Sequence, residues 1–256
     1  MNESTVDLRR PKWPAFVAGL MVLLCSSAVT VHGAEPNVWK ARQCVKWQAK
    51  VGFVSGPISL TRPRIIVGTV ELDKADRSSG VLLCFDRESG KLIWRIKHPR
   101  LELHGYDRPQ NGIQSRAYVD GGRLFYVSNR GQLMCLDLAG FRDGINDGPI
   151  KSEKQVSRLA ADVVWKLDMV RSLGVAKMDD YDGWNPVSSP LVLGDLVYTV
   201  TGNGCRFFIG ARPNNFVPKP RAPSFIAVNK GSGKLAWSHT VPAADLASCG
   251  KLVSVV

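Results

Sequence analysis

An all-β chain, built from about three to four repeated four-stranded antiparallel units, is what this sequence predicts. Three observations predict it. The phrase Ser-Gly-Lys-Leu-x-Trp occurs twice, as Ser89 to Trp94 within CFDRESGKLIW and as Ser232 to Trp237 within AVNKGSGKLAW. A third tryptophan, Trp165 in ADVVWKLD, falls between them, at intervals of 71 (94 to 165) and 72 (165 to 237) residues. Short β-rich runs separated by turn residues precede each of these tryptophans, and self-similarity at a fixed period marks a repeat architecture. Trp47, in CVKWQAK, ends a shorter unit ahead of the first.

Each unit follows one plan. In VSGPISLTRPRIIVGTV (54–70), IQSRAYVDGGRLFYVSNRG (113–131) and VSSPLVLGDLVYTVTGNG (187–204), a Ser opens a short apolar strand. In the second and third copies a turn at Gly121-Gly122 or Gly194-Asp195 leads into a β-rich strand, Leu124 to Ser128 or Leu196 to Thr201. A third strand ends in Asp or Asn: Val81 to Asp86, Gln132 to Asp137, Phe225 to Asn229. The fourth carries the Trp.

Asp86 to Lys91 and Asn229 to Lys234 read as tight hairpin loops, because Asp or Asn bonds its own backbone two residues on and Gly90 or Gly233 supplies a positive φ. Asp137 lies 28 residues before Trp165, against 8 in the other two units, so LAGFRDGINDGPIKSEKQVSRLAADVV extends that hairpin. One helical turn is expected within residues 151–165. The repeated tryptophans Trp47, Trp94, Trp165 and Trp237 are expected to cover the faces between neighbouring sheets, each burying on the order of 200 Å².

Four strands per unit, radially repeated, is the β-propeller plan. The pattern x-Cys/Ala-x-Asp/Asn-x-x-Ser-Gly-Lys-Leu-x-Trp resembles the pyrroloquinoline-quinone-type (PQQ-like) propeller repeat. GFRDGINDGP, ADVVWKLDM and APSFIAVNKGSGKLAW are similar to its exported, non-dehydrogenase branch. The resemblance spans roughly residues 38–240. A blade takes about 40–45 residues, so the tryptophans mark three blades and part of another. Related propellers close with about seven or eight. The expectation is an incomplete propeller, shortened relative to a longer parent. A small closed ring, or an oligomer completing the ring, is the alternative.

The 256 residues carry a net charge of +12. The basic residues are scattered, and the densest run, Lys219-Pro220-Arg221, is too small for a nucleic-acid footprint. Arg9, Arg10 and Lys12, the apolar stretch from Ala15 to Val31 and the small residues up to Ala34 form a secretory signal pattern over residues 1–34. Export to the periplasm or outside the cell follows, with membrane attachment only if that segment stays uncleaved. Residues 35–240 are then the blades and 241–256 an irregular tail. Cys44, Cys84, Cys135, Cys205 and Cys249 have no zinc spacing. Cys84 and Cys135 hold matching strand positions and read as buried free thiols.

Candidate sites are few. Asp143, Asn146 and Asp147 in RDGINDGP offer oxygen ligands for Ca²⁺ or, alternatively, ordinary Asp-Gly turns. Asp179, Asp180, Tyr181, Asp182 and Trp184 cluster ahead of one blade, and His104 with Asp107 and Arg108 lies in the equivalent connection of an earlier one; either loop is a candidate partner surface. The family resemblance makes PQQ and Ca²⁺ candidate cofactors. The adjacent-cysteine disulfide of quinoprotein dehydrogenases has no counterpart here, and no motif carries their catalytic Asp. The reading is therefore an exported, non-catalytic binding or scaffold module, whose edges are closed by a protein partner or a second copy. The alternative is a PQQ-dependent oxidoreductase or a domain of one.

Overall fold

The computed structural model describes residues 20–23, 45–71, 79–99, 112–153, 157–175, 188–201, 219 and 221–240. Three antiparallel sheets follow one another along the chain. The first contains β3 (Phe53–Val54), β5 (Arg64–Glu71), β6 (Ser79–Asp86) and β7 (Leu92–His98), with β4 (Ser59–Leu60) also on β5. The second runs β8 (Tyr118–Asp120), β9 (Arg123–Val127), β10 (Gln132–Asp137), β11 (Val163–Asp168). The third runs β12 (Leu191–Leu193), β13 (Leu196–Val200), β14 (Phe225–Asn229), β15 (Leu235–His239). Each is a blade with strands in sequence order, as the repeat predicts. The first departs in one detail: its leading strand is split into β3 and β4, which both pair with β5.

Ahead of the first blade, β2 (Val45–Ala49) carries Trp47 and pairs with β1 (Leu20–Leu23). β1 lies within the stretch that reads as a leader. Cleavage near Ala34 would take it away and leave that edge of β2 unpaired.

Blade position explains the burial patterns. In the middle blade nearly every residue of β9 and β10 is buried, since apolar neighbours cover both faces. In the third blade β13 alternates between buried and partly exposed, and β15 is exposed throughout. That is the pattern of a sheet covered on one face. One apolar cluster, with Cys84, Trp94, Ile113, Tyr126 and Leu136, joins the first blade to the second. Another, with Phe125, Cys135, Trp165, Val197 and Ile226, joins the second to the third.

Among the described residues two short helical turns occur, and neither falls within residues 151–165. A 3₁₀ turn, Gly140–Asp143, opens the long hairpin loop of the second blade. Helix α1 (Met169–Leu173) follows β11; Asp168 caps it by accepting from the Arg171 N–H at 3.0 Å, and buried Met169 anchors it. The Asp168 cap and this anchor sit just after the expected segment. Within it, Ala160 instead pairs with Arg95 of the first blade. No helix among the described residues is long and apolar enough to cross a membrane.

Candidate functional site

The repeated phrase builds a joint between blades. Asp86 Oδ1 accepts from the Ser89 N–H at 2.9 Å and from its hydroxyl at 2.7 Å, and Asn229 Oδ1 makes the same bonds to Ser232, both at 3.0 Å. These bonds to Ser89 hold the Asp86 carboxyl below its usual range. The turn so fixed presents the carbonyl of the residue after the Asp or Asn. The Trp47 indole N–H donates to Arg87 O at 2.8 Å, Trp94 to Leu138 O at 2.9 Å, and Trp165 to Lys230 O at 2.8 Å. Each acceptor follows Asp86, Asp137 or Asn229 by one residue, and each lies one blade further on.

A glycine makes room for each ring. Gly90, Gly140 and Gly233 have φ of 70°, 59° and 69°. A Cβ on them would come within 2.5 Å of Trp47, 2.8 Å of Trp94 and 2.6 Å of Trp165 respectively. Gly90 and Gly233 were expected as turn formers; as seats for a neighbour's tryptophan they have a second function. Gly140 was not singled out, because the insertion displaces it from the Ser-Gly-Lys phrase.

A β-bulge aims each ring. The register slips between Cys84 and Phe85, between Cys135 and Leu136, and between Ala227 and Val228, one residue before Trp94, Trp165 and Trp237. Bulges re-aim a side chain in this way. Across the strands the tryptophans head equivalent rows: Ile66–Cys84–Trp94, Phe125–Cys135–Trp165 and Tyr198–Ala227–Trp237. The first two rows are sealed, with Trp94 at 0% and Trp165 at 2% exposure. Trp237 is 41% exposed, and Leu191 and Leu193 of the same sheet are 40% and 69% exposed. Phe225 and Tyr198 hold the Trp237 ring edge-on at centroid distances of 5.4 and 5.9 Å.

A second site lies in the insertion. Carboxylate oxygens of Asp137, Asp143 and Asp147 come within 4.8 Å of one another. Asp137 joins this group although the repeat marked it only as a strand-end turn former. Arg123 Nη1 donates to Asp137 at 2.9 Å and to Asp147 at 3.1 Å, and these carboxylates raise its already high pKa. Fully buried Asp162 accepts from the Asp147 N–H at 2.6 Å, and burial raises its pKa. Asn146 donates to Glu153 at 3.1 Å, and neither Asn146 Oδ1 nor Asp162 Oδ1 has a hydrogen-bond partner among the described residues. The three carboxylates are a donor set for a hard cation, but Arg123 already supplies a positive charge against two of them. A metal would have to share or displace it.

His104, Asp107 and Arg108, and Asp179 to Asp182 with Trp184, lie outside the described residues. Cys84 and Cys135 are buried and free, as expected, and burial pushes both thiols up to about 12. At the first joint His98 Nε2 and the Tyr126 hydroxyl are 2.6 Å apart; burial pushes His98 down to about 4 and raises Tyr126.

Residues 77–140 match the PQQ-like family model described as outer membrane protein assembly factor BamB. No curated protein matches the chain. Among solved structures, BamB from Moraxella catarrhalis is similar at 15% identity and a TM-score of 0.42, over 77% of this chain and 41% of that one. A europium-containing methanol dehydrogenase is similar at 14% identity and a TM-score of 0.38, over 73% and 26%. The quinohemoprotein alcohol dehydrogenase from Comamonas testosteroni gives 13%, 0.40, 73% and 21%. The chain thus spans less than half the length of each. Residues 77–140 thus carry a PQQ-like repeat, within a chain that writes its phrase twice and builds three four-stranded blades.

Proposed function

We propose that this chain is an exported PQQ-like propeller module that acts by binding protein rather than by catalysis. One observation carries the reading. Trp94 and Trp165 are sealed between blades, whereas Trp237, in the equivalent row, is 41% exposed beside Leu191 and Leu193. A clustered apolar surface of this kind is one that a protein partner or a further blade covers. The matched description, an assembly factor, is in keeping with action by contact. The signal pattern of residues 1–34 supports export, and residues 35–240 supply the blades. The carboxylates of Asp137, Asp143 and Asp147, with Asn146 beside them, serve to brace the insertion, with Arg123 or a bound Ca²⁺ as counter-charge.

The experiment that tests this adds PQQ and Ca²⁺ to the purified chain, followed by gel filtration. The expected result is no retained chromophore and no dye reduction with alcohols or sugars. Retained quinone with substrate-dependent dye reduction would overturn the non-catalytic reading. Mass spectrometry of the protein recovered from its source should find an N-terminus near Glu35; an intact N-terminus would remove the cleaved-leader part of the proposal.

A further inference from the structure

The insertion of the second blade gathers more negative charge than its own cation answers. Asp137 ends β10, Asp143 ends the 3₁₀ turn, Asp147 follows it and Asp162 precedes β11, so carboxylates from both ends of the insertion converge. Among the described residues Arg123 is the one cation paired with them, through Nη1 alone, at 2.9 Å to Asp137 and 3.1 Å to Asp147. The charged groups that act on Asp162 are Glu153, Asp147 and Asp137, all of them acidic.

A separate observation shows that something is wanted there. Asp162 is 0% exposed. Its Oδ2 accepts the Asp147 N–H at 2.6 Å, which directs the carboxylate at this loop, and its Oδ1 has no donor among the described residues. Asn146 Oδ1 is a second buried acceptor without one. Asn146 donates to Glu153 at 3.1 Å, and Glu153 also takes the Val163 N–H at 3.2 Å, so Asn146 and Asp162 are held side by side. A buried oxygen without a donor is costly, and a cation would answer both.

Building on the bracing role proposed above, we infer that this is a Ca²⁺ site, in which Asp137, Asp143 and Asp147 supply carboxylate oxygens and Asp162 Oδ1 and Asn146 Oδ1 supply the two that the fold leaves unanswered. Oxygens bound to one Ca²⁺ at about 2.3–2.6 Å lie at most about 5 Å apart. The 4.8 Å span of the three carboxylates meets that limit. Ca²⁺ accepts irregular geometry, whereas Mg²⁺ demands a near-ideal octahedron, so a loop of this kind favours Ca²⁺. The Arg123 side chain is 35% exposed and can turn out to solvent, exchanging one positive charge for two. The ion then ties the start of the insertion to its end. It holds the insertion over the first blade, where Arg95 N donates to Leu159 O at 2.9 Å and Arg95 O accepts from Ala161 N at 3.3 Å.

The test titrates the full chain, without quinone, with Tb³⁺, an oxygen-seeking stand-in for Ca²⁺ whose emission is excited through a nearby indole. Trp94 is that indole: it donates to Leu138 O, beside Asp137, and lies against Gly140, three residues before Asp143. The expected result is saturable, tryptophan-sensitised emission that Ca²⁺ displaces. Asp162→Asn should weaken binding at least tenfold. So should Asp143→Asn, at an exposed position where folding is not at stake. Glu88→Gln, an exposed acid in the first blade's hairpin, should bind as wild type. No sensitised emission up to about 1 mM Tb³⁺, the weak end of the affinity scale, would overturn the inference. So would emission that Ca²⁺ does not displace, or wild-type binding by Asp143→Asn. An equal loss in Glu88→Gln would overturn it too, by making general surface charge the binder. Failure here leaves Arg123 as the counter-charge and the protein-binding reading standing; quinone retention overturns that reading whatever Tb³⁺ does.

Discussion

The Trp165 indole lies against Gly233 and donates its N–H to Lys230 O at 2.8 Å, although the tryptophan and its seat belong to different blades. Trp165→Ala should therefore cost about 3–5 kcal/mol, the range for emptying a large buried aromatic site. Gly233→Val should cost a comparable amount, through steric overlap with the ring and strain at positive φ. The two changes remove one joint, so the double variant should fall well short of the sum. Trp237→Ala should cost about 1 kcal/mol or less, as at an exposed site. Urea unfolding of the four variants checks the set. Additive losses at 165 and 233 would mean the joint is not a unit.

His98 makes stability depend on pH. It is buried neutral against Tyr126, between Arg130 and Lys166, and titrates near 4 instead of 6.5. Above pH 6.5 both folded and unfolded chains keep it neutral. As the pH falls from 6.5 towards 4, the unfolded chain takes up a proton that the folded chain refuses, so stability is lost across that window. The loss is at most about 1.4 kcal/mol per pH unit. Asp137 and Asp162, whose pKa values are raised by burial, act in the opposite direction. They are common to wild type and His98→Gln, so the difference between the two isolates the histidine. His98→Gln should be less sensitive between pH 6.5 and 4 by chemical denaturation; parallel curves would refute the assignment.

Arg123 neutralises two of the clustered carboxylates, so Arg123→Ala should destabilise the chain and create a demand for another cation. Thermal unfolding should show a lower Tm for the variant, and Ca²⁺ should raise that Tm more than it raises the wild-type value. Equal Ca²⁺ responses would show that the three carboxylates do not act as a common site.

Burial and pKa values near 12 make the Cys84 and Cys135 thiols inert in the native state. Native labelling with iodoacetamide at pH 8, read by peptide mass mapping, should leave both unmodified. Unfolding in urea should expose them together with the core.

The sequence is most legible where structure is local. The Asp86 and Asn229 turns, the bounds of β10 and β14 and the tryptophan spacing follow from short-range turn chemistry and period. Gly140 was not legible as a seat, since its partner Trp94 is 46 residues away and the insertion hides the repeat. Arg123 and the His98–Tyr126 pair were missed for a similar reason: polar groups meeting across strands or blades leave no periodic trace. The exposure of Trp237 is a further case. Its local sequence matches that of Trp94, and only the neighbouring blade distinguishes a buried ring from an open one.

The bulged tryptophan and its glycine seat also fix the symmetry open to any larger assembly. One side of the joint gives a ring and the other receives it, so the contact is heterologous and cannot sit on a two-fold axis. Blades or partners added through it must run head to tail. Such a series ends only by closing into a ring or by meeting a partner that has a seat and no ring of its own.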